Sequence, residues 1–89
     1  MLQIEFTDQA WEEYVSWIKE GRQNILDKID RLVEETSQHP FSGIGKPKPL
    51  QGDLSGAWSR RITSTDRLVY EVEGDRLYIL QCKGHYSDK

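Results

Sequence analysis

The chain has 89 residues, 36% hydrophobic and 30% charged, with a net charge of −3. That length suits one domain and is too short for two, because an independent core needs about 50 residues. No run of about 18 apolar residues and no basic-then-apolar leader occurs, so neither a membrane span nor a secretion signal is expected, and a single cysteine, Cys82, excludes an internal disulfide and a four-cysteine zinc site.

Leu2 to Phe6 alternates apolar and polar residues, which predicts a short strand with Leu2, Ile4 and Phe6 on one face. Thr7 is a good N-cap and Asp8 a favourable first-turn anion, so a helix is expected to start there and to end at Gly21. Its apolar stripe reads as Trp11, Tyr14, Val15 and Ile18. A second helix carries Ile25, Ile29, Leu32 and Val33 on one stripe and stops before Pro40. Both stripes are read as core. His39 falls at the second helix's C-terminus, where the dipole favours an imidazolium, and is expected to cap it.

Residues 39–56 hold all three prolines and four of the seven glycines. Pro47 and Pro49 keep the chain extended around Lys46 and Lys48. A loop this long in a small domain is more often functional than a bare connector. Three strands follow. Trp58, Arg60 and Ile62 alternate with Ser59, Arg61 and Thr63; Leu68, Tyr70 and Val72 alternate with Arg67, Val69 and Glu71; Glu73-Gly74-Asp75 turns the chain into a last strand from Arg76 to Cys82. Cys82 in that apolar pattern reads as a small core residue and suits a reducing cytoplasm. The expected fold is α+β: an N-terminal strand and a two-helix hairpin packed on an antiparallel sheet of about four strands.

Charge is unevenly spread. Residues 1–39 have four Lys/Arg against nine Asp/Glu, whereas residues 46–67 have five against two. A polyanion would meet the second half of the chain, although a solvated mixed-charge surface accounts for the same asymmetry. If Ile62, Leu68 and Tyr70 face inward, parity sends Arg61 and Arg67 together to the open face of the sheet. Two neighbouring guanidiniums repel unless an anion lies between them, and their planar forks match phosphate oxygens; two solvated arginines are the alternative. His85 and Tyr86 follow the last strand. A histidine can pass a proton near neutral pH and a tyrosine can stack on a base, though a lone exposed histidine is often inert. With only two histidines, far apart in sequence, a metal site is not expected.

Four strings then carry a resemblance. Pro40-Phe41-Ser42-Gly43-Ile44-Gly45-Lys46-Pro47, continued by Pro49-Leu50, resembles the "PFxGxGKPEPL" segment of YoeB-type toxins; Leu54 to Ile62 resembles "LSGxWSRRI", Arg67-Leu68-Val69-Tyr70 resembles "RLVY", and His85-Tyr86 resembles the terminal "HY". Trp11, Tyr14 and Trp17 also fit, so the similarity spans nearly the whole chain. The family belongs to the RelE/ParE superfamily, with a microbial-RNase-like fold. The resemblance implies a cytoplasmic, ribosome-dependent messenger-RNA endonuclease that works without metal or cofactor. Its implied partners are a YefM-like antitoxin, the 70S ribosome with its messenger RNA, and operator DNA through the toxin–antitoxin complex; whether the free chain forms a homodimer is left open by the sequence. It implies His85 as general acid, Arg67 as main phosphate clamp and Tyr86 as an orienting group, with Arg61 and Lys46 supporting the phosphates. Gln51, where many members carry lysine, belongs to the same phosphate-binding stretch. Ser87 to Lys89 extend past the family's usual terminus, close to the expected site.

One catalytic position departs from the pattern. The family has a glutamate between the two prolines, the expected base for the ribose 2′-OH; here that position is Lys48. A lysine side chain ordinarily titrates near about 10.4 and holds its proton at pH 7. Lys48 is then a phosphate clamp, or a base if strongly perturbed; or it marks a weakened variant; or ribosomal RNA or a more distant group supplies the base. Two other functions stay open: a ParE-like inhibitor of DNA gyrase, and a protein that only binds its antitoxin and co-represses the operator.

Overall fold

A computed structural model describes residues 1–86; Ser87 to Lys89, expected beside the site, lie outside the described residues. The elements run β1 (Gln3–Phe6), α1 (Asp8–Lys19), α2 (Gln23–Gln38), β2 (Lys48–Pro49), a single 3-10 turn (Gly52–Leu54), β3 (Trp58–Arg61), β4 (Arg67–Glu73) and β5 (Arg76–Gln81). Thr7 caps α1 through its side chain, which accepts from the Ala10 amide at 3.2 Å. The hairpin of helices covers one face of a five-stranded sheet ordered β1-β5-β4-β3-β2.

The sheet differs from the expected one in two ways. It is mixed: β1 lies parallel to β5, with Ile4 beside Leu77 and Phe6 beside Ile79. A period-two pattern fixes which residues share a face but says nothing of strand direction, and either direction would bury Phe6. The fifth strand, β2, is a two-residue segment of the proline-rich loop, pairing Lys48 with Ser59 and Pro49 with Trp58. Pro49 has no amide hydrogen to donate, which suits an edge strand.

The α2 stripe is buried as expected, Ile25, Ile29, Leu32 and Val33 all facing the sheet. The α1 stripe is rotated. Ala10 and Trp17 are buried and Tyr14 partly so, whereas Trp11 and Ile18 are each 53% exposed. Ala10, Tyr14 and Trp17 also follow a three-to-four spacing, and the methyl of Ala10 lets the helix approach Cys82 closely enough for the thiol to reach the Ala10 carbonyl at 3.4 Å. Trp11 instead stacks on Tyr14, with ring centroids 5.6 Å apart. Cys82 is fully buried, and burial above all pushes its thiol up to about 12, so it packs as a small apolar residue.

The sheet's other face carries a second, smaller cluster. Leu50, Ala57 and Val69 are buried there, with Leu54, Leu80 and Tyr86 packed against them. This patch is the floor on which the chain's last described residue rests.

Candidate active site

Strand pairing assembles the open face. β3 and β4 place Arg61 directly opposite Arg67 and Ser59 opposite Val69, while β2 sets Lys48 opposite Ser59. Since side chains directly opposite share a face, Lys48, Ser59, Arg61 and Arg67 rise on the side away from the helices. Gly45, in the loop before β2, passes alongside β3 and accepts the Arg61 amide at 2.8 Å. Its φ of +81° and that of Lys46, +54°, turn the chain sharply there; Lys46 is the one non-glycine in that region among the described residues. Strain of this kind is held only where surroundings enforce it.

What enforces it is Arg60, on the opposite parity. Its guanidinium is fully buried and uses all five donors: Nε to the Tyr70 hydroxyl, Nη1 to Glu35 Oε1 at 2.7 Å and the Ile44 carbonyl at 3.0 Å, Nη2 to the carbonyls of His39 and Ser42. Glu35 Oε1 also accepts the Ile44 amide, and the Tyr70 hydroxyl donates to the Pro40 carbonyl at 2.7 Å. The hydrogen bond from Arg60 holds the Glu35 carboxyl below its usual range, while burial pushes the Tyr70 phenol up. Gly43 passes so close to Glu35 that an added Cβ would lie 1.9 Å from Oε1, so only glycine fits. His39 does occupy the C-cap position of α2; its amide closes the helix on Glu35 and its carbonyl accepts Arg60.

The C-terminal segment crosses the same face. Cys82 is anchored to α1 from both sides, its amide donating to Glu13 and its carbonyl accepting the Trp17 indole. Lys83 lies over the Trp17 ring and donates to Ser16. The Gln81 side chain then donates through Nε2 to the carbonyls of Gly84 and His85, each at 3.0 Å. Tyr86 packs on the small cluster with its hydroxyl 3.0 Å from that of Ser59, and the exposed His85 ring stacks on it at 4.8 Å. Lys48 Nζ lies 5.8 Å from the Tyr86 ring centroid.

These pieces enclose one cavity of about 210 Å³, lined by Gly45, Lys46, Lys48, Ser59, Arg61, Arg67, His85 and Tyr86. Six of the seven residues singled out from sequence meet there. Gln51 is exposed, sits before the 3-10 turn and does not line it. Among the described residues the lining has four cationic side chains and no carboxylate. Arg67 is already oriented, its Nη1 donating to the carbonyls of Thr63 and Asp66, whereas Arg61 is exposed. Such a cavity can hold a phosphodiester between anchored and exposed cations with an imidazole at hand. No group of three or more His, Cys, Asp or Glu suited to a metal ion occurs among the described residues. Sequence reading missed Arg60, Glu35 and Ser59. The signal for Arg60 was a charged residue on the inward phase of β3, which demands a buried partner.

The described residues thus form the expected α+β fold, with a helical hairpin on one face of the sheet and a cationic His–Tyr cavity on the other. The family model for the YoeB-like toxin of bacterial type II toxin–antitoxin systems matches residues 6–86, and the chain belongs to that family. It is 48% identical to toxin YoeB of Streptomyces coelicolor over 85 residues, 96% of this chain and 100% of that one. A YoeB/ParE toxin from Agrobacterium tumefaciens superposes with a TM-score of 0.90 at 40% identity, covering 96% of this chain and 100% of that chain. A YoeB–YefM complex and a YoeB dimer, both from Staphylococcus aureus, each match with a TM-score of 0.85 at 37% identity, covering 97% and 96% of this chain and 99% and 98% of those.

Proposed function

We propose that this toxin is a ribosome-dependent endoribonuclease that cleaves messenger RNA in the ribosomal A site. The observation that carries the proposal is the convergence of Lys46, Lys48, Arg61, Arg67, His85 and Tyr86 on one cavity. In the reaction the ribose 2′-OH loses its proton and attacks the adjacent phosphorus; the bond to the 5′ oxygen breaks, and that oxygen takes a proton. The products are a 2′,3′-cyclic phosphate and a 5′-OH. His85, exposed at the rim, donates the proton to the 5′ oxygen. Arg67 clamps the pentacoordinate phosphate, Arg61 and Lys46 gather the flanking phosphates, and Tyr86 orients the base.

Lys48 is read as a further phosphate clamp. The cavity then supplies clamp and acid, and the 2′ proton leaves to water or to ribosomal RNA. Positioning and charge stabilisation alone still accelerate such a reaction, while a missing general base costs on the order of 10²–10⁴-fold. The experiment is primer extension on messenger RNA with purified ribosomes, comparing the parent with Lys48→Glu. A-site cuts by the parent and faster cutting by Lys48→Glu are expected; an unchanged or lower rate would give the lysine a catalytic part of its own.

The lack of a carboxylate among the described lining residues also supports a second reading, in which the toxin is weakened and its chief role is antitoxin binding and operator co-repression. Ribosomes left uncut by the parent, together with operator binding by the toxin–antitoxin complex, select that reading. In both, the partner is a YefM-like antitoxin whose acidic, disordered segment docks on the cationic face and competes with RNA. A homodimer is a further assembly, tested by sedimentation of the free toxin.

A further inference from the structure

The turn between β3 and β4 has an acid whose two oxygens do different things. Asp66 Oδ2 stays within the turn, accepting the Thr63 hydroxyl at 2.6 Å. Asp66 Oδ1 reaches out of it to the Gly84 amide at 2.7 Å, across a sequence separation of 18. The Gly84 carbonyl accepts the Arg67 amide at 3.0 Å. Two hydrogen bonds of opposite sense thus join residues 66 and 67 to residue 84, beyond the point where β5 leaves the sheet at Gln81. One is ordinary backbone pairing; the other uses a carboxylate in place of a ladder carbonyl. The residues next to this staple are Arg67 and His85, the clamp and the acid of the reading above. Burial alone would raise the Asp66 carboxyl, but the bonds from Thr63 and Gly84 outweigh it and hold the group below its usual value, hence ionised and accepting at neutral pH. A charge-assisted bond of this kind is short and directional, which is what fixing a loop requires.

We propose that Asp66 is a positioning residue: by holding the Gly84 amide it sets where the His85 imidazole stands relative to the Arg67 guanidinium. The catalytic consequence rests on the nuclease reading; the positional claim does not. Asp66→Asn keeps an acceptor oxygen for Gly84 and removes the charge, whereas Asp66→Ala removes both.

The test follows amide hydrogen exchange at Gly84 and the His85 imidazole NMR signals in the full chain, alongside kcat and KM for ribosome-programmed cleavage. Asp66→Ala is expected to lose Gly84 protection with core amides such as Leu68 intact, to shift the His85 signals, and to lower kcat by about 10- to 100-fold with KM within about 2-fold. Asp66→Asn is expected to restore most of both. Where the alanine variant does not fold, Asp66→Asn decides: its kcat must follow its Gly84 protection. A fall in kcat with Gly84 still protected, or loss of protection with parental kcat, overturns the proposal. If the parent cuts nothing, the nuclease reading fails by itself, and Gly84 protection with unmoved His85 signals in Asp66→Ala still overturns the positional claim.

Discussion

Arg60 and Arg61 are chain neighbours with opposite fates. Arg60 points under the sheet, wholly buried, with every donor satisfied by Glu35, Tyr70 and three loop carbonyls. Arg61 points above it, exposed, opposite Arg67 at the cavity. A strand sends successive side chains to opposite faces, so a doubled arginine places one cation in the scaffold and one in the site. The difference teaches that the cavity is built from below: Arg60 ties residues 39–44 to the sheet, and that loop delivers Lys46 and Lys48 to the other side.

The largest effect should come from breaking the lower half. Arg60→Met retains much of the side-chain volume but takes the guanidinium from Glu35, which keeps only the Ile44 amide, and strips three loop carbonyls of their donor, so a clear loss of stability is expected. Urea unfolding is expected to show that loss, while Arg61→Ala stays within about 0.5 kcal/mol, as an exposed change away from packing should. Equal losses in the two variants would erase the distinction between them.

The upper half is sharpened by His85→Ala. Losing the proposed general acid should lower cleavage on the order of 10²- to 10³-fold with the urea midpoint little changed, because the exposed ring contacts only its neighbour Tyr86, while Gln81 and Asp66 hold the preceding backbone. Antitoxin binding, measured by calorimetry, should persist. Growth arrest undiminished by the change would contradict the acid role.

These two faces were unequally legible in the sequence. The helical stripe of α2, the Thr7 cap and the period-two strands are local patterns, so residue spacing sufficed for them and for the shared face of Arg61 and Arg67. The direction of β1 and the rotation of α1 are not local: both are decided by packing against β5, where Leu77, Ile79 and Cys82 select Phe6, Ala10 and Trp17 over Trp11 and Ile18. The Arg60 network is harder still, since its partners come from residues 35, 39, 42, 44 and 70, and backbone carbonyls leave no mark in a residue pattern. Gln51 shows the reverse limit: its place in a motif put it with the phosphate binders, and the structure sets it, exposed, just before the 3-10 turn and outside the cavity lining.

Acid sets a finer contrast. Glu35 is held below its ordinary value chiefly by its bond to Arg60, and Asp66 is held down by Thr63 and Gly84 against the upward push of burial. A carboxyl whose folded pKa is depressed stabilises the fold fully above its unfolded value, about 4, and that contribution fades as pH falls through the depressed one. Stability should therefore decline from about pH 5 downward, as the unfolded chain takes up protons that the native carboxylates refuse. Arg60→Met removes the main cause at Glu35 and leaves Asp66 untouched, so the plot of urea midpoint against pH should flatten in part. Arg61→Ala touches neither acid and should parallel the parent. A slope unaltered by Arg60→Met would mean that Glu35 owes its low pKa to something other than the guanidinium beneath the sheet.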